Sequence, residues 1–218
     1  MDFQGIDMSK EGDCQSLAAL MNIHCTDKLF AHHYEDEYER HFAPIRAKPL
    51  NILEIGVGGY SHPTCGGESL KVWRDYFQSA TIVGIDIKEK MLDFGERVTI
   101  RQCDQSKAKE LERLNSQDGP FDIIIDDGSH VQEHILISFR TLWPMLKLGG
   151  IYVIEDLATA YDPDHGGSPE KPLAILLICS LINGLHHQFW KVLKPGECDP
   201  TSIKSVHVSK ELVFIYKA

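Results

Sequence analysis

The stretch Leu50-Asn51-Ile52-Leu53-Glu54-Ile55-Gly56-Val57-Gly58-Gly59-Tyr60 decides the architecture of this chain. A short, mostly apolar run stops abruptly in a glycine-rich turn. A run of this length bounded by turn formers predicts a strand buried on both faces, as in the middle of a parallel sheet. Residues 69–77 then place Leu70, Trp73 and Phe77 on one helical face, so strand leads through turn into helix.

The same unit recurs outward from that stretch. Strands are predicted at residues 81–86, 97–102, 121–126 and 151–155, with helices at 108–114 and 131–146. Gly149-Gly150 gives the second of these helices its left-handed stop. A Pro/Gly-rich loop at 162–172 leads into an apolar helix reaching about Leu185, and the tail reads as two strands, 202–209 and 211–216, joined by a tight turn. Alternating short apolar strands and helices imply an α/β fold, a mostly parallel sheet covered on both faces and closed by an antiparallel pair. Upstream, residues 11–47 carry Leu17, Leu20, Met21, Tyr34, Tyr38 and Phe42 at helical spacing. Residues 1–48 are therefore expected to be a helical extension of the same domain and a candidate substrate lid, with the main domain at 49–218.

Composition narrows the function class. The chain has 218 residues, 43% hydrophobic and 25% charged, which suits one domain with a sizeable core. Its net charge is 22 − 32 = −10, with acidic residues spread along the chain. That balance argues against nucleic acid or an anionic membrane as the main partner. Six cysteines without a CxxC pair suggest a reducing cytoplasm, and Cys103 and Cys179 read as buried thiols. The N-terminus lacks a basic flank and an apolar core, so no secretory signal is expected.

Polar residues collect where the strands end. The predicted strands finish at Glu54 with Gly56 and Gly58, at Asp86, near Asp104-Gln105, at Asp126-Asp127 and at Glu155-Asp156. In an open parallel sheet ligands bind beyond those carboxyl ends. Asp86 suits a ribose hydroxyl pair, and Asp104-Gln105 suits an adenine amino group. Glu54 fits the cationic amino-acid end of S-adenosylmethionine better than a dinucleotide. The template G-x-G-x-x-G is met at Gly56 and Gly58 but broken by Ser61, which weakens a nicotinamide reading.

Asp127, Glu155 and Asp156 lie at the ends of strands expected to be neighbours. Three oxygen donors without cysteine favour Mg²⁺ over Zn²⁺, and packed anions call for a cation. His130, three residues beyond Asp127, is placed to act as general base, with direct metal ligation as the competing role. His32, His33, His186 and His187 read as structural or solvent-exposed, and Asp126 has no assigned role.

With these residues assembled, the chain resembles the class I S-adenosylmethionine-dependent methyltransferases. Within them it is similar to the Mg²⁺-dependent macrolide sugar O-methyltransferases of the macrocin and mycinamicin type. The resemblance runs from about Thr26-Asp27-Lys28 to about Tyr161 and rests on the stretch at Leu53–Tyr60, on Ile123-Ile124-Ile125-Asp126-Asp127-Gly128-Ser129-His130 and on Val153-Ile154-Glu155-Asp156-Leu157. It implies a Rossmann-like, seven-stranded sheet and S-adenosylmethionine with Mg²⁺ as cofactors. It also implies metal ligands at Asp127, Glu155 and Asp156, and a base at His130. Cofactor contacts are implied at Lys28, Glu54, Gly56, Gly58, Tyr60, Ser69, Asp86, Asp104 and Gln105. The expected substrate is a small glycosylated natural product, and a homo-oligomer is compatible with this reading. Longer relatives carry an N-terminal auxiliary domain, whereas here about 48 residues precede the first strand, so acceptor recognition does not transfer. Two alternatives stay open: a methyltransferase for a catechol-like diol, and a non-catalytic cofactor binder.

Overall fold

A computed structural model describes residues 15–186 and 202–218. Expectations for the other residues, Cys14, His187 and Cys198 among them, lie outside the described part. Seven strands form one sheet: β1 (Asn51–Ile55), β2 (Thr81–Asp86), β3 (Val98–Gln102), β4 (Ile123–Asp126), β5 (Ile151–Ile154), β6 (Ile203–Ser209) and β7 (Leu212–Lys217). Their order is β3-β2-β1-β4-β5-β7-β6. β1 to β5 are parallel, and β7 runs antiparallel to both β5 and β6. The expected mostly parallel sheet with a reversed C-terminal strand is what forms.

Helices α1 (Leu17–His24), α2 (Asp27–Phe30), α3 (Glu35–Phe42), α4 (Glu68–Tyr76), α5 (Ala108–Asp118), α6 (Gln132–Leu142) and α7 (Leu173–Gly184) cover the two faces. Side chains alternate across a strand, so adjacent residues of β1 enter different cores. Leu53 packs with Leu111, Phe139 and Ile178 on the α5–α6–α7 side. Ile52 packs with Tyr38, Phe42, Trp73 and Phe214 on the α1–α3–α4 side. Each such buried aliphatic or aromatic side chain contributes about 1.5–3 kcal/mol. The N-terminal helices thus share the sheet's own core. The chain winds from β1 to β3, then reverses to β4 and β5, which opens a crevice between the carboxyl ends of β1 and β4.

Three expectations change in detail. The helix predicted at 131–146 is α-helical only to Leu142 and finishes as a 3-10 turn over Trp143–Met145. Pro144 lacks an N–H and its ring would meet the carbonyl four residues back. The helical spacing expected at residues 11–47 resolves, over residues 17–42, into three helices, because Cys25 turns left-handed (φ 56°) and Thr26 caps α2 by accepting from the Lys28 N–H. Cys103 is buried as expected, but Cys179 is exposed.

His41 of α3 is buried against Phe214, with ring centroids 3.9 Å apart, and its Nδ1 lies 2.7 Å from the Tyr216 hydroxyl. Burial, then the charges of His207 and Arg40, lower its pKa to about 4 from an ordinary 6.5. The folded state therefore holds a neutral imidazole that the unfolded chain would protonate. This contribution is intact above pH 6.5 and is lost as pH falls from 6.5 towards 4. In His41→Phe the melting temperature should fall less steeply over that window. The difference, on the order of 1 kcal/mol after solvent screening, is measurable by denaturation at pH 7 and pH 5.

Candidate active site

A cavity of about 770 Å³ lies at the β1–β4 crevice, within the size range of small-ligand sites. Gly56, Gly58, Tyr60, Ser69, Asp86, Asp104 and Gln105 all border it, as do Asp127, His130 and Asp156. The turn after β1 and the turn after β4 meet there at very close range. A Cβ on Gly56, whose φ is +98°, would stand 2.0 Å from the Asp127 carbonyl oxygen. Only glycine fits that backbone and that approach. Asp86 closes the turn from the other side, accepting from the N–H groups of Val57 (3.3 Å) and Lys88 (2.8 Å).

Two expected contacts point elsewhere. Lys28 and Glu54 are almost wholly buried beneath the cavity and are not part of its lining. Glu54 Oε2 accepts from Ser69 (2.9 Å) and Trp73 (3.1 Å), while Oε1 lies 3.4 Å from the Lys28 Nζ. Both oxygens face neighbours inside the protein, and Oε1 accepts no hydrogen bond among the described residues. Tyr60 is 95% exposed, with its side chain directed into solvent. Gln105 is spent internally: Oε1 accepts from the Ser129 N–H (2.7 Å) and Nε2 donates to Asp126 (3.1 Å). That leaves its amide less free for an adenine than the sequence suggests.

The acidic residues sort into two sets. Ligand atoms of Asp127, His130 and Asp156 lie within 4.8 Å of one another, and all three side chains are half-buried at the cavity. His130 Nε2 stands 3.9 Å from Asp127 and 3.5 Å from Asp156. Glu155 is 2% exposed and lies outside that set, its Oε1 accepting from the Lys28 ammonium (2.7 Å) and the Tyr38 hydroxyl. Lys28 also donates to Asp127, so one ammonium links the two carboxylates. His130 (φ 55°) and Asp156 (φ 53°) both adopt left-handed backbone, a conformation costing non-glycine residues roughly 1–2 kcal/mol. Such strain concentrates where side-chain aim matters.

Electrostatics follow from this geometry. Burial opposes the Lys28 charge, but Asp127, Glu155 and Glu54 together hold its pKa well above the ordinary lysine value. Burial pushes Glu54 up to about 7 despite Lys28. Burial and the neighbouring Asp127 push Glu155 up as well, against the Lys28 and Tyr38 donors. Around the one ammonium of the pocket floor, burial thus draws Glu54 and Glu155 towards their neutral forms. Asp126 is a buried anchor for the β4 end, taking hydrogen bonds from Ser138, Gln105 and Tyr152, and burial raises it to about 6.

The N-terminal helices supply residues that sequence reading left in the core or on the surface. Tyr34 donates to Asp156 Oδ1 at 2.8 Å, and His32 Nδ1 stands 3.3 Å from the same oxygen, with the two rings stacked 5.0 Å apart. Tyr38 holds Glu155 from below. One signal was available: a tyrosine at an apolar position still needs a partner for its hydroxyl when buried.

Residues 22–157 match the sequence pattern of a family described as a methyltransferase domain. The chain is 38% identical over 209 residues to a tetracenomycin-C rhamnosyl 2'-O-methyltransferase of Streptomyces olivaceus, covering 94% of this chain and 55% of that protein. It is 39% identical over 209 residues to the mycinamicin VI 2''-O-methyltransferase of Micromonospora griseorubida, covering 92% and 52%. Among solved structures, the MycE methyltransferase of mycinamicin biosynthesis, in complex with Mg and SAH, superposes with a TM-score of 0.87 at 38% identity. That match covers 93% of this chain and 54% of MycE. The chain thus spans about half the length of the curated relatives it matches. The matched residues run from α1 past β5 and take in every turn that borders the cavity, and on that ground this chain belongs to the methyltransferase-domain family.

Proposed function

We propose that the chain is an Mg²⁺-dependent O-methyltransferase that transfers a methyl group from S-adenosylmethionine to a sugar hydroxyl of a glycosylated natural product. The observation that carries this reading is that the Gly56–Gly58 turn and the Asp127–His130–Asp156 set border one cavity. The named relatives, sugar O-methyltransferases of glycosylated antibiotics, support the acceptor class.

The residues fit both groups. The carboxylates of Asp127 and Asp156, in a set of ligand atoms within 4.8 Å of one another, are hard oxygen donors suited to a divalent cation such as Mg²⁺, and the His130 imidazole stands beside them. Asp127 and Asp156 would hold the cation, and Glu155 stands one ammonium away from Asp127. The glycine turn admits a cofactor close to the backbone, and Asp86 stands at the end of β2 where ribose hydroxyls would be read. When bound, the sulfonium cofactor supplies the electrophilic methyl, and the cation supplies a charge that orients neighbouring hydroxyl oxygens.

His130 receives the acceptor's hydroxyl proton at Nε2. Asp127 and Asp156 lie 3.9 and 3.5 Å from that nitrogen, so the imidazole stands beside the carboxylates at the cavity. No covalent intermediate with the protein is needed, so rate comes from positioning and fixed charge. Cys25, Thr26 and Asp27 form one lip of the cavity, which keeps the N-terminal helices in the proposal as part of the acceptor enclosure. The methyl acceptor is a small molecule. Among the described residues no helix is long and apolar enough to cross a membrane.

Thermal shift and methyl transfer test the reading together. S-adenosylmethionine at a hundredfold excess over its Kd should stabilise the fold by about 2.7 kcal/mol, with NAD⁺ inert. Transfer to glycosylated acceptors should stop with EDTA and return with Mg²⁺. Stabilisation by NAD⁺ alone, or turnover that survives chelation, overturns it.

A further inference from the structure

Lys90 lies in the connection between β2 and β3, outside the lining of the cavity. Its Nζ, with three N–H donors, lies within hydrogen-bonding distance of four backbone carbonyls of the turn that follows β1: Gly58 (2.5 Å), Tyr60 (2.8 Å), His62 (3.2 Å) and Cys65 (3.5 Å). Among the described residues, three of these oxygens, those of Gly58, Tyr60 and Cys65, accept from no backbone N–H, while that of His62 also accepts from Cys65. A second strut joins the same two segments, from the Met91 N–H to the Pro63 carbonyl at 2.7 Å.

Apart from these bonds the segment is tied by turn hydrogen bonds, from His62 to Gly59 (3.1 Å) and from Gly67 to Val57 (2.6 Å), and by little side-chain packing. Val57 is buried, but residues 58–65 are half-buried or exposed, so no apolar side chain of the loop anchors it in the core. Gly58, Gly59, Tyr60 and Ser61 nonetheless border the cavity. The shape of that wall is therefore set by polar contacts with the carbonyls. A ring of carbonyl oxygens is also the ligand set that replaces the hydration shell of a potassium ion. A lysine ammonium is a compact point charge on a flexible stem, able to reach the same position.

We propose that Lys90 is a positioning residue, a built-in cation whose ammonium sits in a ring of four carbonyls and fixes the cavity-side loop 58–65. In its absence that ring would accept a free monovalent cation. The effect on cofactor binding rests on the methyltransferase reading; the effect on the loop does not.

The test uses the wild type, Lys90→Ala and Lys90→Met in choline chloride, ammonium chloride and potassium chloride at equal ionic strength. Hydrogen exchange reports the loop amides, and calorimetry reports affinity for S-adenosylhomocysteine. In choline chloride, Lys90→Ala should exchange its loop amides about tenfold faster and bind S-adenosylhomocysteine about tenfold more weakly. Ammonium or potassium should return both values towards wild type. Lys90→Met should show the defect without rescue, because its stem still fills the approach to the ring. The wild type should be indifferent to the choice of salt. Loop exchange in Lys90→Ala equal to wild type overturns the proposal, as does a defect that neither cation relieves. A wild type that binds no S-adenosylhomocysteine would sink the methyltransferase reading instead, and the exchange data would still decide the role of Lys90.

Discussion

Replacing His130 with alanine should lower turnover by about 10²–10⁴-fold, the usual worth of a positioned general base, while affinity for S-adenosylmethionine stays near wild type. The side chain stands at the cavity, 3.9 Å from Asp127 and 3.5 Å from Asp156, and belongs to neither apolar cluster of the core. Alanine at φ 55° is strained much as histidine is, which leaves the backbone contribution nearly unchanged. Single-turnover rates and cofactor titration check the two halves of the expectation. Near-normal turnover removes His130 as base. A parallel loss of Mg²⁺ affinity would assign the imidazole to the cation instead, the role left open by its presence in the same 4.8 Å set.

Lys28→Met should be strongly destabilising, costing about 3–5 kcal/mol by the precedent of breaking buried ion pairs. Lys28 is 1% exposed and meets Glu54, Asp127 and Glu155 within 3.4 Å, two of them equally inaccessible. Methionine keeps the length of the stem and removes the charge, leaving three carboxylates facing one another in a poorly solvated space. Urea denaturation of both proteins measures the cost. A loss below about 1 kcal/mol, the range of an exposed ion pair, would mean that the ammonium is not the keystone of the floor.

The strands were readable because each is a short apolar run stopped by Gly or Asp, and a parallel sheet buried on both faces demands just that pattern. Asp127 and His130 were readable for a local reason: three residues apart beyond one strand, they reach the same edge whatever the rest of the chain does. The limits were equally physical. Lys28 meets Asp127 and Glu155 across 99 and 127 positions of sequence, and nothing local distinguishes it from a solvated lysine. Tyr34 and Tyr38 have the spacing of core residues and are core residues; only the assembled sheet brings Asp156 and Glu155 under their hydroxyls. Glu54 was read as facing a ligand because it precedes the glycine turn. In the folded chain it is buried, with Ser69 and Trp73 donating to one oxygen and Lys28 3.4 Å from the other.

By itself, then, the amino-acid order determined the alternation of strands and helices, the glycine turn after β1, and the carboxylates that gather at the strand ends. These follow from local periodicity and from turn chemistry, which operate within a few residues. Only the tertiary structure decided which carboxylates open to the cavity and which are closed beneath it. Asp127 and Asp156 remain at the surface of the site with His130, whereas Glu54 and Glu155 are sealed under a buried lysine and a tyrosine. That division depends on burial and charge neutralisation between segments far apart in the chain, and such terms exist only once the N-terminal helices have docked on the sheet.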